Sequence, residues 1–189
     1  MSWILGQVRG FARYEFQLML LRRMADFQPE LVAAACEQVG ASHAAYLAAH
    51  NRWQNLLRSR RAPQGLALYR AVLGPPETER PRQCGDVTVT AHAWPLPGLW
   101  PWLRWEVLAG TGGAVVNAWL VRAPDSPAPP LPAPGRLAPW SCVVDDVLRE
   151  HPDARYVEPD APHRWLLDVP ANGQLYRMVF AHGLLQLVS

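Results

Sequence analysis

At 189 residues and 50% hydrophobic content the chain is long enough to bury a core, which excludes disorder throughout. Its 18 basic residues are all arginine, so Schiff-base lysine chemistry and a P-loop lysine are excluded. The net charge of +2 is uneven: residues 1–73 carry nine Arg against four acids, and residues 74–189 carry nine against twelve.

Residues 3 to about 25 read as a helix with Trp3, Ile4, Val8, Phe11, Leu18 and Met19 on an apolar arc and Arg9, Arg13 and Gln17 opposite. Pro29 is well placed to open a second helix to about residue 60. Along it Val32, Cys36, Val39, His43, Tyr46, His50, Trp53 and Leu57 keep four-three spacing and predict a buried seam. In that seam His43 and His50 are expected to be buried and neutral. A short third helix is expected near 64–73.

Gly74-Pro75-Pro76 and the charged ETERPRQ run read as a break before the strands. VTVTAHAW alternates with period two, Val87, Val89, Ala91 and Ala93 on one side and Thr88, Thr90, His92 and Trp94 on the other. Residues 102–109 and 114–121 form a hairpin around GTGG; with Ala109 opposite Ala114, Arg104 faces Trp119. The proline-rich stretch 123–139 reads as an irregular linker. Pro139 is expected to open a short helix with Trp140, Val143, Val144, Val147 and Leu148 on one side.

The last residues read as a three-stranded meander. Asn172-Gly173 suits a two-residue turn and pairs Val169 with Tyr176, Leu167 with Met178, Trp165 with Phe180 and Asp168 with Arg177. A second turn at His182-Gly183 sets Leu185 beside Phe180 and Leu187 beside Met178.

These elements predict an α+β fold: an N-terminal helical hairpin region (1–73), then antiparallel sheet elements (74–189) of three strands, one helix and a three-stranded C-terminal meander. The two regions are expected to pack as one unit. This element order is similar to that of small adaptor and secretion-chaperone-like domains.

No GxSxG, Gly-rich phosphate loop or HExxH is present. His151-Pro152-Asp153 spells a J-domain tripeptide, but no second helix follows it. Cys36, Cys84 and Cys142 form no CxxC pair and suit reduced thiols. No catalytic residue, metal site or cofactor is therefore expected, and the absence of a charge-free run of about twenty residues predicts no transmembrane span. A cytoplasmic protein is expected.

The best site candidate is the hairpin face carrying Trp102, Arg104, Glu106, Asn117 and Trp119, extended by His92 (and Thr90), because tryptophan with arginine on an open sheet face stacks on bases or grips a peptide. The competing expectation is that the helical hairpin covers this face, with Arg104 to Glu106 as a local ion pair. The leading function is a non-catalytic binding or adaptor protein that uses this sheet face or the exposed side of the helical hairpin, with another protein as its partner. Nucleic-acid binding through the arginine-rich helices and the same face is the alternative, and a small enzyme with a pocket lined by His43, His50 and Tyr46 is the second.

Overall fold

The computed structural model describes residues 13–159, 161 and 163–189. Trp3, Ile4, Val8, Arg9 and Phe11 of the expected first helix lie outside them. The described part of that helix, α1 (Arg13–Met24), buries Phe16, Leu18, Leu20, Leu21 and Met24 completely. Burial around most of its circumference makes it the central helix, with Phe16 edge-on to Trp53 at 5.3 Å and to Trp105 at 5.2 Å.

The expected long second helix is two helices, α2 (Pro29–Gln38) and α3 (His43–Arg58). Gly40 adopts φ +66° just past α2, where the Gly40 and Ala41 N–H groups donate to the carbonyls of Glu37 and Cys36. Ser42 then caps α3, its hydroxyl accepting from the Ala45 N–H at 3.1 Å. The break divides the seam. Val32, Cys36, Tyr46 and Trp53 are buried, but His43 and Leu57 are exposed and His50 is half-buried. α4 (Leu66–Leu73) completes the helical layer.

Two antiparallel sheets follow. The first has strand order β1 (Thr78–Cys84), β2 (Val87–Leu96), β3 (Trp100–Ala109), β4 (Val115–Arg122). After α5 (Val144–Glu150), the second orders β5 (Arg155–Val157), β6 (Arg164–Ala171), β7 (Gln174–Ala181) and β8 (Leu184–Val188). The α+β class holds, and each sheet gains one strand over expectation. β1 is the ETERPRQ run: an exposed edge strand tolerates Pro81 and arginines that a central strand would not.

In the first hairpin Glu106 faces Trp119 and Arg104 faces Val121, a slip of two residues that keeps Arg104, Glu106, Asn117 and Trp119 on their expected face but leaves Val116, expected in the core, 61% exposed. An irregularity at Leu108/Ala109 and the Gly110 N–H to Ala114 carbonyl bond set this register. β2 alternates as expected but faces the other way: His92 lies opposite Val107, and Ala93 opposite Glu106. Trp94 pairs with Trp105, and both rings enter the core beneath the helices, which carries His92 to that side. The helices therefore cover the face of Trp94, Trp105 and Val107, and the opposite face looks toward α5 and the second sheet.

The β6–β7 pairing matches expectation at every named pair. In β8 a bulge at Val179/Phe180 puts Val188, not Leu187, beside Met178; Leu187 is left exposed and Gln186 is buried. Gln186 is satisfied there: its Oε1 accepts from Trp140 Nε1 at 3.1 Å and its carbonyl from Gln28 Nε2 at 2.8 Å. The expected helical start at Pro139 is corrected too. Trp140 has φ +63°, and residues 140–143 run along β8, Trp140 N–H donating to Leu185 and Leu185 N–H to Cys142.

The sheets join where the β7–β8 turn meets the outer edge of β4. The Leu120 N–H donates to the His182 carbonyl at 2.8 Å, and the Val144 N–H to the Gly183 carbonyl at 3.1 Å. Gly183 has φ +82°, and a Cβ there would stand 2.8 Å from the Leu120 carbonyl oxygen and 3.1 Å from Trp119 Cβ. Gly183→Ala is expected to cost on the order of 2 kcal/mol or more, lowering the melting temperature by roughly 5 °C. Unchanged melting would show that the turn does not seat on β4.

Candidate binding groove between the two sheets

The face of sheet one that turns away from the helices does not lie open. It forms one wall of a groove of about 690 Å³ whose other wall comes from α5, β5 and β6. Trp119 and Trp165 face each other at 6.3 Å between ring centroids, and Tyr156, 61% exposed on the three-residue β5, stands at the rim. Arg82 places its guanidinium 5.4 Å from the Trp119 ring. Leu108 and Val116 add apolar surface; Gln83, Asn117, Asp145 and Glu158 add polar groups.

The sequence candidates divide within this frame. Asn117 and Trp119 line the groove. Glu106 is 1% exposed and accepts from Arg80 and Arg82, its neighbours across β2, rather than from Arg104. Arg104 is nearly buried; it pairs with Glu77 through Nε and Nη2 and donates to the carbonyls of Pro101 and Leu103. Trp102 lies under the Arg122 guanidinium at 5.0 Å. His92 sits on the opposite face, its Nδ1 3.4 Å from Glu79, and burial lowers its pKa although Glu79 opposes that. The helices do not cover the Arg104 face as the competing expectation had it: α5 and the second sheet stand there instead.

Arg82, Tyr156, Asp145 and Trp165 were missed as site residues. Arg82 and Tyr156 fall in segments too charged or too proline-broken to show strand periodicity, and Trp165 was assigned to the meander core by its pairing with Phe180. Burial raises the Asp145 carboxyl, with Arg82 opposing. Asp145 does not pair with Arg149; that arginine bonds Asp146 at 3.1 Å.

Asp146 anchors the far end of the groove's frame. Fully buried, it accepts from Arg122 Nε and Nη2, from Arg149 and from the Val143 N–H. Burial acts to raise its carboxyl, but the bonds from Arg122 and Val143 with the nearby arginine charges outweigh it and hold the pKa below the ordinary value.

The proposed enzyme pocket does not assemble. His43 and Tyr46 line a groove of about 670 Å³ among α1, α2 and α3, whereas His50 lines a separate cavity with His163 and His182. Among the described residues no group of three or more His, Cys, Asp and Glu is arranged to hold a metal ion. No described helix is long and apolar enough to cross a membrane.

No family model matches the chain, and no curated protein matches it. Among solved structures it is similar to a Streptococcus mutans protein assigned as a beta-lactamase inhibitor, at 11% identity and a TM-score of 0.29 over 70% of this chain and 85% of that one. A likeness at that score carries no argument about this chain.

Two outcomes follow from the ion pairs. The depressed Asp146 pKa contributes stability that is complete above the unfolded value near 3.9 and lost as pH falls through the lower folded value, so acid unfolding is expected below about pH 4. Asp146→Asn, which leaves Arg122 without its charge partner, should cost about 3 kcal/mol at neutral pH and flatten that acid dependence in near-UV circular dichroism. Arg104→Ala should lower the melting temperature by an amount equivalent to about 1–3 kcal/mol, because two carbonyls and Glu77 lose their donor. An Arg104→Ala protein as stable as the parent would contradict this.

Proposed function

We propose that the chain is a non-catalytic binding protein that holds an extended peptide segment of another protein in the groove between its two sheets. The observation that carries this reading is the aromatic lining: Trp119, Trp165 and Tyr156 around about 690 Å³, with Tyr156 61% exposed on a strand too short to need it for packing. Aromatic anchors that present area at little entropic cost are the usual energetic centres of peptide recognition. The polar groups around them are of both kinds. Arg82, Gln83 and Asn117 offer donors and Asp145 and Glu158 offer acceptors, a mixture that suits backbone and side-chain polar groups.

The nucleic-acid alternative draws less support. Phosphate recognition needs arginines free to meet anions, yet Arg22, Arg52, Arg70, Arg80, Arg82, Arg104, Arg122, Arg149 and Arg177 are all within ion-pairing distance of carboxylates.

A random peptide library selected on the immobilised full chain tests the proposal. Selected peptides should lose about 1–3 kcal/mol of affinity on Tyr156→Ala, with the melting temperature unchanged, and should vary little in affinity between low and moderate salt. Peptides that ignore Tyr156→Ala, or binding that collapses with salt, would overturn the reading.

A further inference from the structure

The groove between the two sheets holds one carboxylate that no described cation bonds. Glu106 and Asp146, both buried in its frame, each accept from two guanidiniums. Asp145, their neighbour on α5, lines the groove and is half-buried, yet its side chain makes no hydrogen bond or ion pair among the described residues. Glu158, exposed at the rim, adds a second negative charge.

The arginines closest to Asp145 are already committed. Arg80 and Arg82 bond Glu106, and Arg149 bonds Asp146. Arg164, also on the groove wall, lies over the Phe27 ring at 4.9 Å. The balance shows in the carboxyl itself. Burial raises its pKa and Asp146 adds to this, while Arg82, Arg149 and Arg80 oppose, and the net shift is upward. The neighbouring arginines therefore do not replace the hydration that Asp145 has lost, and a cation brought into the groove would.

The walls beside Asp145 suit an organic cation. Trp119 already carries one, the Arg82 guanidinium at 5.4 Å. Trp165, 6.3 Å from Trp119 between ring centroids, and Tyr156, 61% exposed, have no cation over their rings among the described residues. Tyr156 is close enough to Asp145 that, after burial, the carboxylate also raises the phenol. Aromatic faces attract a cation and repel an anion, so rings and carboxylate select the same sign of charge.

Resting on the peptide-groove reading, we propose that the segment held there presents a lysine or arginine side chain, its head group on Asp145 and its aliphatic stem along Trp165 and Tyr156. A single, partly desolvated pair is screened little by salt, so it adds no steep salt dependence to binding.

The test uses the peptides selected on the immobilised full chain, resynthesised with lysine replaced by norleucine and arginine by citrulline, which removes the charge and keeps the shape. The selected peptides should share a basic residue. Its neutral replacement should weaken binding at least about tenfold to the parent but no more than about twofold to Asp145→Asn. That substitution removes a charge that bonds nothing, so near-UV circular dichroism should not change. In the parent, the preference for the basic peptide should be full above the raised Asp145 pKa and shrink as pH falls from about 7 to about 4.5. Of the other groups facing Asp145, the arginines stay charged throughout, Asp146 is held below the ordinary carboxylate value and Tyr156 above the ordinary phenol value.

Peptides that lose affinity on Tyr156→Ala but carry no basic residue overturn this inference and leave the groove reading intact. A basic residue that contributes equally in the parent and in folded Asp145→Asn does the same. Selection that yields no peptide sensitive to Tyr156→Ala overturns the groove reading and this inference with it. Should Asp145→Asn fail to fold, a pH-independent preference in the parent decides against the proposal equally.

Discussion

The seat of the β7–β8 turn on the outer edge of β4 is the constraint on which the rest of the molecule depends. A strand edge offers an N–H and a carbonyl at every second residue, and at Leu120 that N–H is taken by His182. The approach is close enough to exclude a Cβ at Gly183, and the same glycine's carbonyl receives the Val144 N–H at the start of α5. Sheet, turn and helix are thereby fixed through consecutive backbone atoms, with the bidentate Arg122–Asp146 pair alongside. Both concave surfaces are consequences: the aromatic groove opens on one side of β4 and the histidine cavity on the other, and His182 lines the cavity from the turn itself.

The same accounting of edges limits how a partner can attach. β1 carries Pro81 and two arginines, and β5 has three residues. β8 is bordered by residues 140–143 and reached by Gln28, whose side chain bonds the Gln186 carbonyl. Beyond Leu120, the Ala118 N–H of β4 is met by the Asn117 side chain at 2.9 Å, and an irregularity at Leu108/Ala109 bends the strand end away from regular pairing. Strand addition therefore finds no long, flat template among the described residues. Under the peptide-groove proposal, recognition runs through side chains in the groove rather than through strand addition.

The legibility of the chain followed the strength of local signals. The β6–β7 register was readable because Asn172-Gly173 fixes the turn and alternation then fixes every pair; both residues have positive φ, as that turn requires. The α2–α3 break was equally encoded, in Gly40 and Ser42, but a seven-residue apolar spacing persists across it and outweighs the cap signals when the two are read together. The facing of β2 was not legible, since alternation gives two faces without saying which meets the core; Trp94 against Trp105 decides it only in three dimensions. The site suffered from the same gap. Trp119 and Asn117 were visible as a polar and aromatic face, but their companions Trp165, Tyr156 and Asp145 lie 26 or more residues away in the sequence, and only the joint at His182-Gly183 brings them together.

The arginine-only composition acquires a structural meaning from two buried carboxylates. Glu106 and Asp146 are almost without solvent contact, and each is met by two guanidiniums, Arg80 with Arg82 and Arg122 with Arg149. A carboxylate removed from water needs several directed donors, which the planar guanidinium fork supplies and a single ammonium does not. Arg82 completes the argument: the guanidinium that satisfies Glu106 also lies against the Trp119 ring in the groove. The buried charge and the aromatic wall are thus one assembly, in which neutralising Glu106 holds the Arg82 guanidinium against the Trp119 ring.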